Sequence, residues 1–169
     1  MKGEYHHNFL TAQAAAAGAL DRAAQPSLFD RIDWLESLHR MALRDREPLL
    51  LRASEGAAEL WLPLMQAGRG HYAALANWYN FHWRPVFSGA GDEVAKLALL
   101  REVAVQATAQ ASRLTLSPLP DEDHSATLIA NAFQQAGWSV FREECDENHY
   151  LEVKGRSFDA YWEDRPSRL

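Results

Sequence analysis

Large apolar residues recur along this chain with two different periods, and each change of period marks a new element. After Pro26, the residues Phe29, Ile32, Leu35, Leu38 and Leu43 return at the spacing of one helical face, which Trp34 widens. Ser27 or Asp30 stands where an N-cap is wanted, and Glu47-Pro48 ends the helix, because the residue before a proline resists helical geometry. Two short apolar runs follow. Leu49–Ala53 and Glu59–Met65 are separated by the turn signal Ser54-Glu55-Gly56, and Gly68-Arg69-Gly70 precedes a third strand over His71–Asn77. Connections this short permit only antiparallel neighbours, so the three strands are predicted to form a meander.

Helical spacing then returns. Asp92 can cap a helix carrying Val94, Leu97, Leu100, Val103 and Val105 to about Ala111, and Arg113–Ser117 reads as a strand. Asp121-Glu122-Asp123 opens another helix through Leu128, Ile129, Ala132 and Phe133, stopped by Gly137. Trp138–Arg142 and His149–Val153 read as strands on either side of the turn Asp146-Glu147-Asn148, and Phe158–Asp164 as a short helix closed by Pro166. A strand–helix–strand unit within an otherwise antiparallel arrangement predicts an α/β (α+β) fold, with a mixed, mainly antiparallel sheet flanked by helices. Residues 1–27 lack a firm pattern. Thr11–Ala24 is helical by alanine propensity but offers few large side chains, which predicts an arm that is partly ordered or helical.

The totals narrow the classes of function. A chain of 169 residues with 47% hydrophobic and 24% charged residues suits one globular domain. Its net charge is −6 and its 17 lysines and arginines are dispersed, which argues against nucleic acid as the main partner. The single cysteine, Cys145, excludes an internal disulfide framework and fits a reducing compartment. No apolar run approaches the roughly 20 residues that span a bilayer, and the N-terminus is a poor signal peptide. A cytoplasmic protein without a membrane span is expected.

Candidate chemistry concentrates in Asn77–Asp92, where five aromatic rings and a histidine run into Gly89-Ala90-Gly91 and a helix start. Ser88, Gly89, Ala90 and Gly91 could cradle a pyrophosphate with backbone N–H groups at a helix N-terminus, or could be an ordinary strand-to-helix turn. Were Trp78–Trp83 extended, its rings would alternate between two faces, leaving one set for a cleft or a partner. Trp78, Tyr79, Asn80 and His82 are then the substrate-binding candidates, with His82 and Tyr79 the catalytic ones. No metal site is expected, since adjacent His6 and His7 do not share a face. Asp121, Glu122, Asp123 and His124 are better explained by helix capping than by acid–base chemistry. Cys145 lacks neighbours that would activate it. Phe158, Tyr161 and Trp162 form one helical stripe suited to docking.

Several segments resemble the GNAT acyltransferases. Ala130-Asn131-Ala132-Phe133-Gln134-Gln135-Ala136-Gly137-Trp138 looks like the segment in which a GNAT helix ends in glycine and an aromatic residue before the next strand. Leu60-Trp61-Leu62-Pro63-Leu64 and Leu75-Ala76-Asn77-Trp78-Tyr79-Asn80, with Pro85 beyond, resemble the first half of CelD-like proteins of the FemAB-related branch, in which two GNAT-like halves are joined. Tyr150-Leu151-Glu152-Val153 and Phe158-Asp159-Ala160-Tyr161-Trp162 resemble the junction into the second half. The resemblance runs from about Leu28 to Leu169. It implies a division into an arm (1–27), a GNAT-like domain (28–154) and the start of a linker or helix leading to a second half (155–169).

The resemblance also implies an activity: acyl transfer from acyl-CoA or acetyl-CoA to a small-molecule amine, without a metal. The GNAT loop pattern is Gln/Arg-x-x-Gly-x-Gly/Ala, whereas Val86 leads the matching stretch Val86-Phe87-Ser88-Gly89-Ala90-Gly91. First halves of this branch are degenerate as coenzyme sites, so this chain alone is expected to be inactive and to shape the acceptor pocket for a missing second half. The alternatives are a non-catalytic binding or assembly domain that keeps the fold, and a small acyltransferase that works with a homodimer partner.

Overall fold

The computed structural model describes residues 1–89, 92–120, 122, 124–144 and 155–163. Strands β2 (Pro48–Glu55), β3 (Ala58–Gly68) and β4 (His71–Ala74) form the predicted antiparallel meander. Alternation along the strands assigns their faces. Leu49, Leu51 and Ala53 join Leu60, Leu62 and Leu64 in one apolar cluster, while Leu50 and Trp61 enter a second on the opposite side. These leucines are fully buried, and each contributes about 1.5–3 kcal/mol of apolar burial.

Helices cover both faces of the sheet. The first cluster is closed by α3 (Glu93–Gln110) and α4 (Ser125–Gln135), through Leu99, Leu100, Val103, Ile129 and Phe133. The second is closed by α1 (Phe9–Ala16) and α2 (Ile32–Ala42), through Phe9, Ala12, Ile32, Leu35 and Leu38. After α3 the chain returns as β6 (Arg113–Thr115), which runs parallel to β4 with His71 opposite Arg113 and Ala73 opposite Thr115. The class is therefore the expected one, a mixed and mainly antiparallel sheet flanked by helices.

The N-terminal segment does more than the expected arm. Lys2–His6 forms β1, the edge strand paired antiparallel with β2, and Asn8 then caps α1 by accepting the Thr11 N–H at 2.9 Å. Apolar alternation is missing from β1 because neither face needs it. On one side a Cβ at Gly3 would collide with the Gln106 side chain of α3; on the other, Glu4 lies opposite Arg52.

Two further expectations change at the C-terminal side. The strand predicted over Trp138–Arg142 pairs with none of the described strands; Trp138 packs on Phe133 and donates its indole N–H to the Ala104 carbonyl at 2.9 Å. Its partner over His149–Val153 lies outside the described residues, as does Cys145. Helix α4 starts at Ser125, later than predicted, because His124 before it adopts the left-handed conformation with φ 60°. Asp121 and Asp123 are also outside the described residues. The final helix, α5 (Phe158–Glu163), forms as predicted, but Phe158 and Trp162 are stacked at 5.7 Å and both exposed.

Candidate functional site

The third meander strand is one strand interrupted. Beyond β4, Leu75 donates its N–H to the Pro63 carbonyl at 3.1 Å, and β5 (Val86–Ser88) rejoins β3 with Val86 opposite Trp61. Residues 76–85 leave the sheet between these two points and come back to it. The predicted strand over His71–Asn77 therefore stops at Ala74, and Trp78–Trp83 is a loop rather than an extended strand, so the alternation expected of its rings does not occur.

Two asparagines explain the change. Asn77 Oδ1 accepts the Tyr79 N–H at 2.9 Å, Asn80 Oδ1 accepts the Asn77 N–H at 3.1 Å, and the Asn80 N–H reaches the Asn77 carbonyl at 3.0 Å. Side chains that satisfy nearby backbone groups offer the chain an alternative to a ladder. Asn80 is buried and serves as a turn residue. The rings divide by position. Trp78 is 101% exposed and Tyr79 and Phe81 are exposed beside it, whereas Trp83 is 3% exposed in the core. Trp83 also bridges the sheet: its indole N–H donates to the Pro63 carbonyl at 2.9 Å, and its backbone N–H to the Pro118 carbonyl, beyond β6, at 2.7 Å.

The root of the loop is held by a polar group that the sequence did not single out. Asp30, in the 3-10 turn Leu28–Asp30, is buried and accepts two hydrogen bonds from the Arg84 guanidinium at Oδ2, at 2.8 and 3.2 Å. The ring of His82 packs edge-on against Phe29 at 5.1 Å, with Nε2 3.3 Å from Ser27 Oγ and 3.8 Å from Asp30 Oδ1. Ser27 and Asp30, read as helix caps, thus turn toward the loop; neither caps α2, whose N-cap position is Arg31. The set contains a serine, a histidine and an aspartate, but it is not a nucleophile relay. A relay spends one ring nitrogen on each partner, and here both partners sit at Nε2 while Arg84 neutralises the carboxylate. The visible signal for this group was a polar pair, His82 and Arg84, inside an aromatic run.

At the far end of β5, Gly89 passes close to the β2–β3 turn. Gly89 has φ +65°, and a Cβ there would lie 2.2 Å from the Ala57 carbonyl oxygen, so the residue is glycine to pass the β2–β3 turn. Ser88 sits opposite Glu59 in the ladder. At the start of α3, Asp92 Oδ1 accepts the Ala95 N–H at 2.7 Å, and Glu93 adds a second carboxylate to the first turn. A helix N-terminus attracts anions through free N–H groups; this one carries its own. Ala90 and Gly91 lie outside the described residues.

A second polar centre, also missed in the sequence, lies across β1–β3 on the α1 side. Arg52 donates to Glu59 Oε2 at 2.5–2.7 Å and to Glu4, while Lys2 holds Glu4 from the other side at 3.0 Å. Burial alone would raise the Glu4 carboxyl, but the hydrogen bonds from Lys2 and Arg52 bring it below its usual range. Burial likewise disfavours the charged Arg52, and the bonds to Glu59 and Glu4 outweigh it, raising its value. Arg52 also lies over the Trp61 ring at 5.3 Å, and the His6 ring meets that indole at 5.5 Å.

The loop tip presents Trp78, Tyr79 and Phe81 to solvent. Two open concavities of about 330 and 380 Å³ are formed around Arg46 and Arg69 and around Gly3 and Gln106, away from the exposed rings. Among the described residues no cluster of three or more His, Cys, Asp or Glu could hold a metal ion, and no helix is long and apolar enough to cross a membrane. Comparison with known proteins gives no matching family model, no matching curated protein and no matching solved structure.

Proposed function

We propose that this chain is the acceptor-shaping, coenzyme-degenerate half of a GNAT-type N-acyltransferase that transfers an acyl group from acyl-CoA to a small amine in the cytoplasm. One observation carries the reading: an anchored aromatic loop and a helix start already capped by Asp92 flank the same strand, β5. Around it, a meander leads into α3 and the chain returns as β6 parallel to β4, an element order similar to that of GNAT acyltransferases. The turn into α3 has the place of a coenzyme loop but presents Asp92 and Glu93 to an incoming anion. Acyl-CoA and the nucleophilic step then belong to the second half. Trp78, Tyr79 and Phe81 contribute apolar and stacking area to the acceptor, with His82 behind them as the group able to take a proton.

Titration calorimetry with acetyl-CoA tests the degenerate half, for which no saturable heat is expected with this chain alone. Stoichiometric binding with transfer to an amine would overturn it. In a protein joining both halves, Tyr79→Phe and His82→Ala are expected to lower kcat/KM for the amine while leaving the Tm nearly unchanged.

The second reading is a non-catalytic assembly domain using the same loop, and the full exposure of Trp78 on an open surface favours it. Unaltered transfer combined with lost association in a Trp78→Ala variant would select this reading.

A further inference from the structure

The joint between β1 and α1 contains an imidazole placed where a proton is poorly tolerated. His6 is the last residue of β1, and its Nδ1 lies 3.3 Å from Thr11 Oγ1 on the first turn of α1. Its ring rests on Trp61 of β3. The other ring nitrogen, Nε2, is buried without a hydrogen-bond partner, and so is the Trp61 indole nitrogen. A neutral imidazole can leave Nε2 as an unused acceptor; an imidazolium must present a second N–H there, with no acceptor to receive it.

The charges facing this ring do not rescue it. Within β1, Glu4 is the one favourable neighbour, but its carboxylate is already shared by Lys2 and Arg52. From β2, the Arg52 guanidinium covers the same Trp61 ring, placing a fixed positive charge close by. From β3, Glu59 is spent on Arg52. The α1 segment Phe9–Ala16 has no charged side chain, and on α2 the ring of His39 is turned against Phe9. His7, next in the chain, packs against Tyr5.

We infer that β1 and α1 form an acid-releasable flap over the free edge of β2, with His6 as its trigger. Burial, opposed in part by Glu4, lowers the His6 pKa below its ordinary 6.5. Well above pH 6.5 neither the folded nor the unfolded imidazole is charged, and the full stability is present. As pH falls through that value the unfolded chain takes up a proton that the folded joint refuses. The joint loses stability until the folded imidazole also protonates. Release of the flap leaves the backbone of Pro48–Glu55 unpaired on one side, the condition under which sheets recruit another strand.

Hydrogen exchange of the whole chain at about pH 7.5 and about pH 5, corrected for intrinsic rates, tests the inference across the histidine range. Protection of residues 2–16, relative to the centre of β3, is expected to fall several-fold at the lower pH in the wild type and to stay level in His6→Phe, which keeps the ring contact but cannot take a proton. Equal loss in both proteins, or no loss in the wild type, would overturn it. Should His6→Phe fail to fold, His6→Gln serves the same comparison, with the same two outcomes.

Discussion

Trp78 and Trp83 are the same residue type five positions apart in one loop, and they have opposite fates. Trp83 is surrounded by the α3 and α4 cluster and spends both its N–H groups on carbonyls of different segments, Pro63 and Pro118. Trp78 makes no comparable contact and stands in solvent. Polar neighbours produce the difference. Asn77 and Asn80 fold the tip into a turn that throws the first rings outward, and Arg84 ties the return limb to buried Asp30. Contacts that stabilise the root thus also fix the conformation of the tip, and a tip ordered in advance would lose less entropy on meeting a ligand.

Removing the root should have the largest effect. Trp83→Ala is expected to destabilise the fold by about 3–5 kcal/mol, as large aromatic truncations in cores do, seen as a lower denaturation midpoint. Gly89→Ala comes next, at about 2 kcal/mol, because the new Cβ meets Ala57 in a left-handed conformation; an unchanged midpoint would show that the turn can move away. Asp30→Ala removes the buried carboxylate that accepts two hydrogen bonds from Arg84 and is expected to cost about 1–3 kcal/mol. It should also speed proteolysis within 76–85 more than elsewhere. The smallest effect belongs to the tip. Trp78→Ala should stay within about 0.5 kcal/mol of wild type while abolishing whatever the loop binds, and a large stability loss would erase the distinction between the two tryptophans.

Strands with one apolar set on each face were legible from the sequence: Leu49–Ala53 and Leu60–Leu64 announce themselves because both faces of β2 and β3 are covered. The edge strand β1 was not. Its Lys2, Glu4 and His6 carry an ion network and a ring stack instead of aliphatic groups, and that pattern has no period a sequence displays. The aromatic run was misread for a different reason. Ring content favours a strand, but two asparagine side chains three positions apart outbid it locally. The aromatic run stood out in the sequence, but its loop conformation did not. Asp30 is a contact between residues 54 apart in the chain, invisible until the fold brings the 3-10 turn to the loop.

Because β4 and β5 both hydrogen-bond to β3, the ten residues between Leu75 and Val86 are a splice in a single strand and not a link between two elements. The feet of the loop sit opposite Pro63 and Trp61, so the sheet registers only where the chain leaves and where it returns. Residues can be added or exchanged at the Trp78–Tyr79 tip without moving any other strand, provided Trp83 and Arg84 remain. The ladder is thus a fixed frame, and the tip is the part of the surface that can be rebuilt without disturbing it.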